Sequence, residues 1–181
     1  MDFLYNFHMD KEKLALEAIT FRPITGKDLE FLFKVYASTR AEEMAMSGWN
    51  AQEIENFLRM QFNLQHTQYM SNYKKADFDI ILFHEVPAGR LYVKRYNDDV
   101  RIIDIALLME FRRQKIGSKI MQDLIDEADQ KSVTLSLHVE QNNPAMGLYE
   151  RLGFKKIEEV GAYFFMERSP EPIQEQSKVD T

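Results

Sequence analysis

The chain has 181 residues, 45% of them hydrophobic and 29% charged, a length and balance that suit one folded domain with a real core. Its net charge of -6 argues against a nucleic-acid partner, which calls for a cationic surface, and the lack of cysteine excludes disulfides, thiolate metal sites and a cysteine-bound acyl intermediate. No stretch has the length and apolarity to span a bilayer, and residues 1–10 lack the basic start, apolar run and cleavage site of a secretory signal, so a cytoplasmic protein without membrane contact is expected.

Residues 1–18 read as a short, partly amphipathic extension and residues 169–181, rich in Pro, Glu, Gln and Ser, as a solvated tail, which leaves 19–168 as the working domain. A first strand is expected at 20–23. Thr25 and Asp28 then have capping-box spacing ahead of Leu29, Leu32, Phe33 and Tyr36 on one helical face, and Asn50 with Glu53 opens a second helix bearing Ile54, Phe57 and Leu58 and running towards His66 or Tyr69. The stretch 39–49 between them shows no clear period. Two β-rich runs follow, 79–83 and 90–96, with hairpin-turn chemistry in the intervening Glu85, Val86, Pro87, Ala88 and Gly89. After a turn at Asn97, Asp98 and Asp99, the run 100–108 is apolar almost throughout, as in a strand covered on both faces, which makes it central. At Ile116 the period changes, and Ile116, Ile120, Met121, Leu124, Ile125 and Ala128 mark a helix. Residues 134–139 return to strand. Ala145, Leu148, Tyr149 and Leu152 form a short helical stripe ended by Gly153, and 154–160 with 162–167 close a hairpin at Gly161. The order β-α-α-β-β-β-α-β-α-β-β predicts an α/β fold, a mixed sheet with helices packed on it.

The chemistry concentrates where the central strand feeds the helix at Ile116. A helix N-terminus exposes unpaired backbone N–H groups and the positive end of the dipole, which together attract anions. Arg112, Arg113, Gln114, Lys115, Ile116, Gly117 and Ser118 lie there, contributing three cations, while Gly117 lets a ligand come close to the turn. Alone, this segment reads equally well as a solvated basic loop. A second segment, Asn142-Asn143-Pro144-Ala145-Met146-Gly147-Leu148-Tyr149-Glu150-Arg151-Leu152-Gly153-Phe154, follows the next strand.

Together the two segments resemble the GNAT superfamily of N-acetyltransferases, whose cofactor loop reads Arg/Gln-x-x-Gly-x-Gly/Ala and whose later motif reads Asn-x-x-Ala-x-x-x-Tyr-x-x-x-Gly-Phe. The chain offers Arg112-x-x-Lys115-x-Gly117 for the first and Asn142, Ala145, Tyr149, Gly153 and Phe154 for the second. The run from Arg101 to Leu108, with Gly89-Arg90-Leu91-Tyr92-Val93 before it, resembles a bacterial subgroup of unassigned acceptor. The resemblance covers residues 19–168 and implies a mixed, mostly antiparallel central sheet flanked by helices, with the central strands splayed at a bulge. It further implies acetyl-CoA as cosubstrate, no metal, and direct transfer of an acetyl group to a primary amine of a small molecule or peptide within a ternary complex. The alternative on the same fold is an acyl-CoA-binding sensor or interaction module without turnover. The implied cofactor contacts are Ala106, Leu107 and Leu108 along the pantetheine arm, Arg112, Arg113, Gln114, Lys115, Ile116, Gly117 and Ser118 at the pyrophosphate, and Asn142, Ala145 and Tyr149 from the later motif. Tyr149 is the implied acid for the leaving thiolate; its rival role is to complete the apolar stripe.

An amine of pKa ~10.4 is mostly protonated at pH 7, a gap worth about 4–5 kcal/mol, so a base is expected. Asp104 is the first candidate, because a carboxylate in an apolar strand is paired, solvated by a cavity or shifted in pKa. An equal reading has Asp104 bonded to nearby backbone or to an Arg. His138 and Glu140, or water, are the alternatives, and alternation sets His138 opposite the Leu137 and Val139 face. Lys115 stands where the family has the first Gly of its loop. The expectation is a backbone near helical φ, where Lys costs little and its amine adds a contact to phosphate, whereas a demand for φ > 0 weakens cofactor binding. Met109 replaces a frequent Pro. Thr39, Arg40, Glu42, Glu43 and Trp49 lie where the family walls its acceptor pocket. A serine or metal hydrolase is disfavoured, since there is no Gly-x-Ser-x-Gly and His8, His66, His84 and His138 lack ligand spacing. The closing hairpin is an edge able to pair across a homodimer.

Overall fold

The computed structural model describes residues 18–171, so His8, the extension before Ala18 and the tail from residue 172 lie outside the described residues. In chain order they form β1 (Ile19–Pro23), a 3-10 turn at Gly26–Asp28, α1 (Leu29–Ala45), α2 (Ala51–Asn72), β2 (Asp77–Phe83), β3 (Val86–Arg95), β4 (Asp99–Leu107), a 3-10 turn at Met109–Phe111, α3 (Ile116–Lys131), β5 (Thr134–Glu140), α4 (Met146–Arg151), β6 (Lys155–Val160) and β7 (Tyr163–Arg168). The strands make one seven-stranded sheet in the order β1-β2-β3-β4-β5-β7-β6. The β1/β2, β2/β3, β5/β7 and β6/β7 pairs are antiparallel and β4/β5 is parallel. The expected α/β architecture, element for element, is present. Two compact units divide the chain, one running to Lys94 and resuming over Ile103–Lys119, the other holding Arg95–Ile102 and the chain from Ile120 on.

In the first unit both expected capping boxes close. Asp28 Oδ2 accepts from the Thr25 amide at 2.7 Å, and Asn50 with Glu53 exchange bonds of 3.0 and 2.9 Å. Asp28 also takes a two-pronged ion pair from Arg22 at 2.7 and 2.9 Å, and that bond holds its carboxyl far below the usual range. The helices then bury Leu32, Phe33 and Tyr36 of α1 and Leu58 and Phe62 of α2 against Ile80 and Tyr92 of the sheet. Phe62 sits 5.9 Å from both Phe33 and Tyr36, and each such buried side chain contributes about 1.5–3 kcal/mol. The stretch without a clear period is mostly helix, since α1 continues to Ala45 before Gly48 turns at φ +73°.

The β2–β3 turn differs from the expectation. It is made by His84 and Glu85 alone, with φ of 49° and 63°, the two left-handed positions that a tight hairpin turn requires. Val86, Pro87, Ala88 and Gly89 therefore belong to β3. Pro87 is tolerated because it faces Leu82 at a register irregularity between Ile81 and Leu82. Gly89 answers a different need: a Cβ there would lie 2.1 Å from the Ala106 carbonyl oxygen.

In the second unit β4 pairs with β5 from Asp99↔Thr134 to Ile102↔Leu137. Leu135, Leu137 and Val139 of β5 are buried, as are Ile120, Met121, Leu124, Ile125 and Ala128 of α3, the helical stripe expected from the sequence. Arg168 closes this unit through a pair with Asp129 at 2.7 and 3.1 Å. The edge strand is β6, exposed along its whole length, while β7 lies inside it.

Candidate functional site

The first unit holds one continuous segment of expected site residues, Asp104, Ala106, Leu107, Leu108 and Arg112 to Ser118. Its strand is irregular. Ile103 packs on the core under α1 and α2, yet Ala106 and Leu108 pack against Val35 of α1. Strict alternation puts residues 103 and 106 on opposite faces, so β4 carries a one-residue irregularity between them. The amide of Leu108 donates to the Ala88 carbonyl at 2.9 Å, and Met109 turns outward in a 3-10 turn that has no need of proline.

Arg112 is extended, and its guanidinium is engaged within the fold. Nε donates to the Leu107 carbonyl at 2.9 Å and Nη2 to the Ser38 carbonyl and hydroxyl at 3.3 Å each, fastening the loop to β4 and α1. Gln114 donates to the Glu110 carbonyl at 2.7 Å. Arg113 is exposed and its side chain makes no hydrogen bond or ion pair among the described residues, which leaves it available to an anion.

Lys115 corrects the expectation of a near-helical backbone: its φ is +62°, and that of Arg113 is +59°. The chain must reverse from the end of β4 into the start of α3 within a few residues, and left-handed steps on either side of Gln114 accomplish that turn. Each costs about 1–2 kcal/mol for a residue with a Cβ. Alternating backbone handedness also points successive N–H groups into one concavity, a shape that binds anions. Lys115 has no side-chain acceptor with which to cap α3, and the first turn of α3 contains no acidic residue, so the helix start stays electropositive. Ile116, 1% exposed, anchors that turn. At Gly117 an added Cβ meets nothing closer than Leu107 Cδ1 at 3.9 Å, so packing within the fold does not require glycine. Room for a closely approaching ligand is the remaining use of that position.

Asp104 is paired, for its Oδ2 accepts from Arg90 Nη2 at 2.7 Å, with side chains 13% and 3% exposed. Arg90 also donates to Gln65 of α2 at 3.1 Å. Arg90 was missed by sequence reasoning, although a lone arginine within an apolar β run is the natural counterpart of a lone aspartate within the next. Of the residues expected near an acceptor, Thr39 donates to the Tyr36 carbonyl at 2.7 Å, Arg40 pairs with Glu43 at 3.7 Å, and Trp49 packs edge-on against Phe57 at 5.2 Å. Glu42 is exposed.

The second unit holds Asn142, Ala145 and Tyr149, with His138 and Glu140 on β5. Asn142 is exposed, and the neighbouring Asn143 shapes the turn by accepting from the Ala145 amide at 2.8 Å. Tyr149 is buried, its ring edge-on to Phe154 at 5.9 Å, and its carbonyl accepts from the Phe154 amide at 3.1 Å. Gly153, at φ +89°, ends α4 as expected. His138 is exposed opposite buried Leu137 and Val139 and lies 4.9 Å from the Phe165 ring. Partial burial, and then the charge of Arg101, hold its imidazole below the ordinary histidine pKa. Among the described residues no three His, Asp or Glu side chains are grouped to hold a metal, and no helix is long and apolar enough to cross a membrane.

Comparison with known proteins agrees with this geometry. The profile of the acetyltransferase (GNAT) family matches residues 42–154. The [ribosomal protein bS18]-alanine N-acetyltransferase of Escherichia coli (strain K12) is 38% identical over 61 residues, which is 33% of this chain and 41% of that protein. The chain thus aligns with less than half of that relative. The crystal structure of PaiA N-acetyltransferase from Thermoplasma acidophilum in complex with coenzyme A superposes with a TM-score of 0.61 at 21% identity, covering 83% of this chain and 98% of that one. The ribosomal-protein-S18-alanine N-acetyltransferase structure from Escherichia coli gives 0.56 at 20% identity, covering 87% and 97%. The family match, which spans the strand, loop and helix around Arg113 and Lys115, establishes that the chain belongs to the acetyltransferase (GNAT) family.

Proposed function

We propose that the chain transfers an acetyl group from acetyl-CoA to a primary amine of a small molecule or peptide, with both substrates bound together. The observation that carries this reading is the pair of left-handed residues, Arg113 and Lys115, ahead of a helix start with no acidic residue in its first turn and a glycine that packing does not require. The weakening of cofactor binding expected for φ > 0 gives way in this reading to a loop whose two left-handed residues turn their N–H groups toward the ligand. When bound, acetyl-CoA supplies a thioester carbonyl open to attack by an amine. The N–H groups from Lys115 to Ser118 and the free guanidinium of Arg113 would hold its pyrophosphate. Backbone of Ala106, Leu107 and Leu108 would lie along the pantetheine arm, with Asn142 and Ala145 as further contacts. Tyr149 is assigned as the proton donor to the departing thiolate, because phenols as a class carry their proton at pH 7. Asp104 enters as the carboxylate that holds Arg90.

Calorimetric titration with acetyl-CoA at low salt tests the first half of the reading, and mass-spectrometric turnover with an amine panel tests the second. The panel includes an alanine-initiated peptide, since a relative acts on alanine of a ribosomal protein. Absence of binding ends the proposal. Binding without turnover on any amine favours the sensor alternative.

A further inference from the structure

Three buried polar atoms of the first unit have no hydrogen-bond partner among the described residues: His66 Nδ1, Arg90 Nε and the Tyr92 hydroxyl. They belong to one cluster. Tyr92 is fully buried and Arg90 is 3% exposed, with the guanidinium carbon 5.5 Å from the Tyr92 ring centroid. Gln65, bonded to Arg90, is the neighbour of His66 on α2, and His66 stacks on Phe62 at 5.6 Å. An unpaired buried polar group costs about 1–3 kcal/mol, and such groups are rare in folded chains, so three together call for a shared partner. Their chemistry is complementary. Arg90 Nε only donates, a tyrosine hydroxyl donates or accepts, and one nitrogen of a neutral imidazole accepts. A water that accepts from Arg90 Nε and donates to the Tyr92 oxygen and to His66 Nδ1 would satisfy all three with the bond number typical of buried water, and it would keep one lone pair open.

We propose that Arg90, Tyr92 and His66 bind a water through which His66 Nδ1 receives the proton of the acceptor amine; this rests on the acyl-transfer reading. Asp104 closes the cluster through Arg90 and stands two residues before Ala106, on the strand that leads into the segment assigned to the thioester arm. The acceptor ammonium gives one proton to the water, and the water gives one of its own to Nδ1. The products are a neutral amine with a free lone pair, an unchanged water and an imidazolium. The amine nitrogen then bonds to the acyl carbon as the carbon–sulfur bond breaks, and the thiolate takes its proton from Tyr149. Nδ1 must start unprotonated, and burial together with the charge of Arg90 holds His66 below the ordinary histidine pKa. The charged and titratable groups facing the cluster are Arg90 from β3, Asp104 from β4, Asp28 from the turn before α1, and the phenols of Tyr69 and Tyr92. From α1, Tyr36 reaches Phe62 at 5.9 Å.

The test combines NMR titration of the histidine side chains with the pH profile of kcat/KM, using His66→Asn and Tyr92→Phe. Asn preserves a polar atom near the Nδ1 position but takes up no proton. We expect Tyr92→Phe to move the His66 titration, and the acid limb of the wild-type kcat/KM to follow the same pKa. His66→Asn should abolish that limb and lower kcat/KM at pH 7 by about 100-fold, with acetyl-CoA affinity within twofold of wild type. An unmoved His66 titration in Tyr92→Phe, or an acid limb that persists in His66→Asn, overturns the proposal. Should His66→Asn not fold, Tyr92→Phe alone decides through the same titration. A wild-type protein with no affinity for acetyl-CoA brings down the acyl-transfer reading and the proton route with it, while the titration still reports separately on the bridged cluster.

Discussion

Replacing Lys115 by glycine asks whether the loop before α3 is held under strain. At φ +62° a side chain with a Cβ costs about 1–2 kcal/mol, and glycine removes that cost. Against it, glycine loosens the unfolded chain and forfeits about 0.4–1 kcal/mol. The balance is a gain of roughly 0.5–1 kcal/mol, or about 1–4 °C in Tm for a chain of this size. Lys119→Gly provides the opposite sign, because residue 119 lies within α3 and a helical glycine loses about 1 kcal/mol. The bond from the Lys119 amide to the Lys115 carbonyl, 2.9 Å, is between backbones and survives both changes. Thermal melts of the three proteins, without ligand and with saturating acetyl-CoA, read both quantities. Ligand at a hundred times Kd adds about 2.7 kcal/mol to a protein that binds it. If the grip is backbone N–H geometry, Lys115→Gly keeps that increment within a few tenths. A melting point lowered by Lys115→Gly would refute the left-handed assignment, and loss of the ligand increment would move the grip to the lysine amine.

Gly117→Ala should raise stability by up to about 1 kcal/mol, as the position is helical and has 3.9 Å of clearance, while cutting acetyl-CoA affinity at least tenfold. Melting and calorimetry on the same sample check the opposed signs, and unchanged affinity would mean that no ligand comes close there. Asp104→Ala strands the charge of Arg90 in the interior and should cost about 3–5 kcal/mol in chemical denaturation, whereas Arg90→Met with Asp104→Leu should recover most of it. Glu127, bonded first by Arg95 and then by Lys131, has its carboxyl lowered from 4.5 to about 2. A depressed carboxyl adds stability above its unfolded pKa and loses it as the pH falls through the folded one. Tm should therefore drop between about pH 5 and 2 by an amount that Glu127→Gln removes, near 1 kcal/mol once solvent screening is allowed for.

What was legible in the sequence was local or periodic. Thr25 with Asp28 and Asn50 with Glu53 announce helix starts because a capping box is made by residues three apart. The long apolar run of β4 announces a covered strand. The β2–β3 turn was misplaced because Pro87 and Gly89 look like turn residues, while His84 and Glu85, which make it, do not. Pro87 answers to a register irregularity and Gly89 to a neighbouring carbonyl, and neither cause is written in adjacent residues. The same limit applies at the site. Arg112, Lys115 and Gly117 stood out by resemblance to a family motif, but neither the diversion of Arg112 to Leu107 and Ser38 nor the left-handed backbone at Lys115 was legible, because both result from how the loop must close.

The half of β4 that leads to the loop is pinned from β3 by three adjacent devices of different kind. Ala88 accepts the Leu108 amide, Gly89 admits the Ala106 carbonyl, and Arg90 holds Asp104. The ladder with β5 stops at Ile102↔Leu137, so the positioning of residues 103–108 falls to β3. A hydrophobic pair in place of Arg90 and Asp104 would stabilise as well but would tolerate sliding, whereas an ion pair with a fixed partner sets register, a role attested for buried polar pairs. Gly89→Ala probes the tightest of the three. Its Cβ would stand 2.1 Å from a backbone oxygen and 3.0 Å from the Leu107 Cα, and backbone cannot swing aside as a side-chain end does. A loss of about 3 kcal/mol or more is expected, the upper end of overpacking costs. Gly26→Ala, whose Cβ meets nothing within 4 Å, should change stability little. If urea denaturation finds Gly89→Ala within about 1 kcal/mol of wild type, β4 is free to shift at Ala106, and the strand that leads into the loop of Arg112 to Lys115 is not held in the way these contacts require.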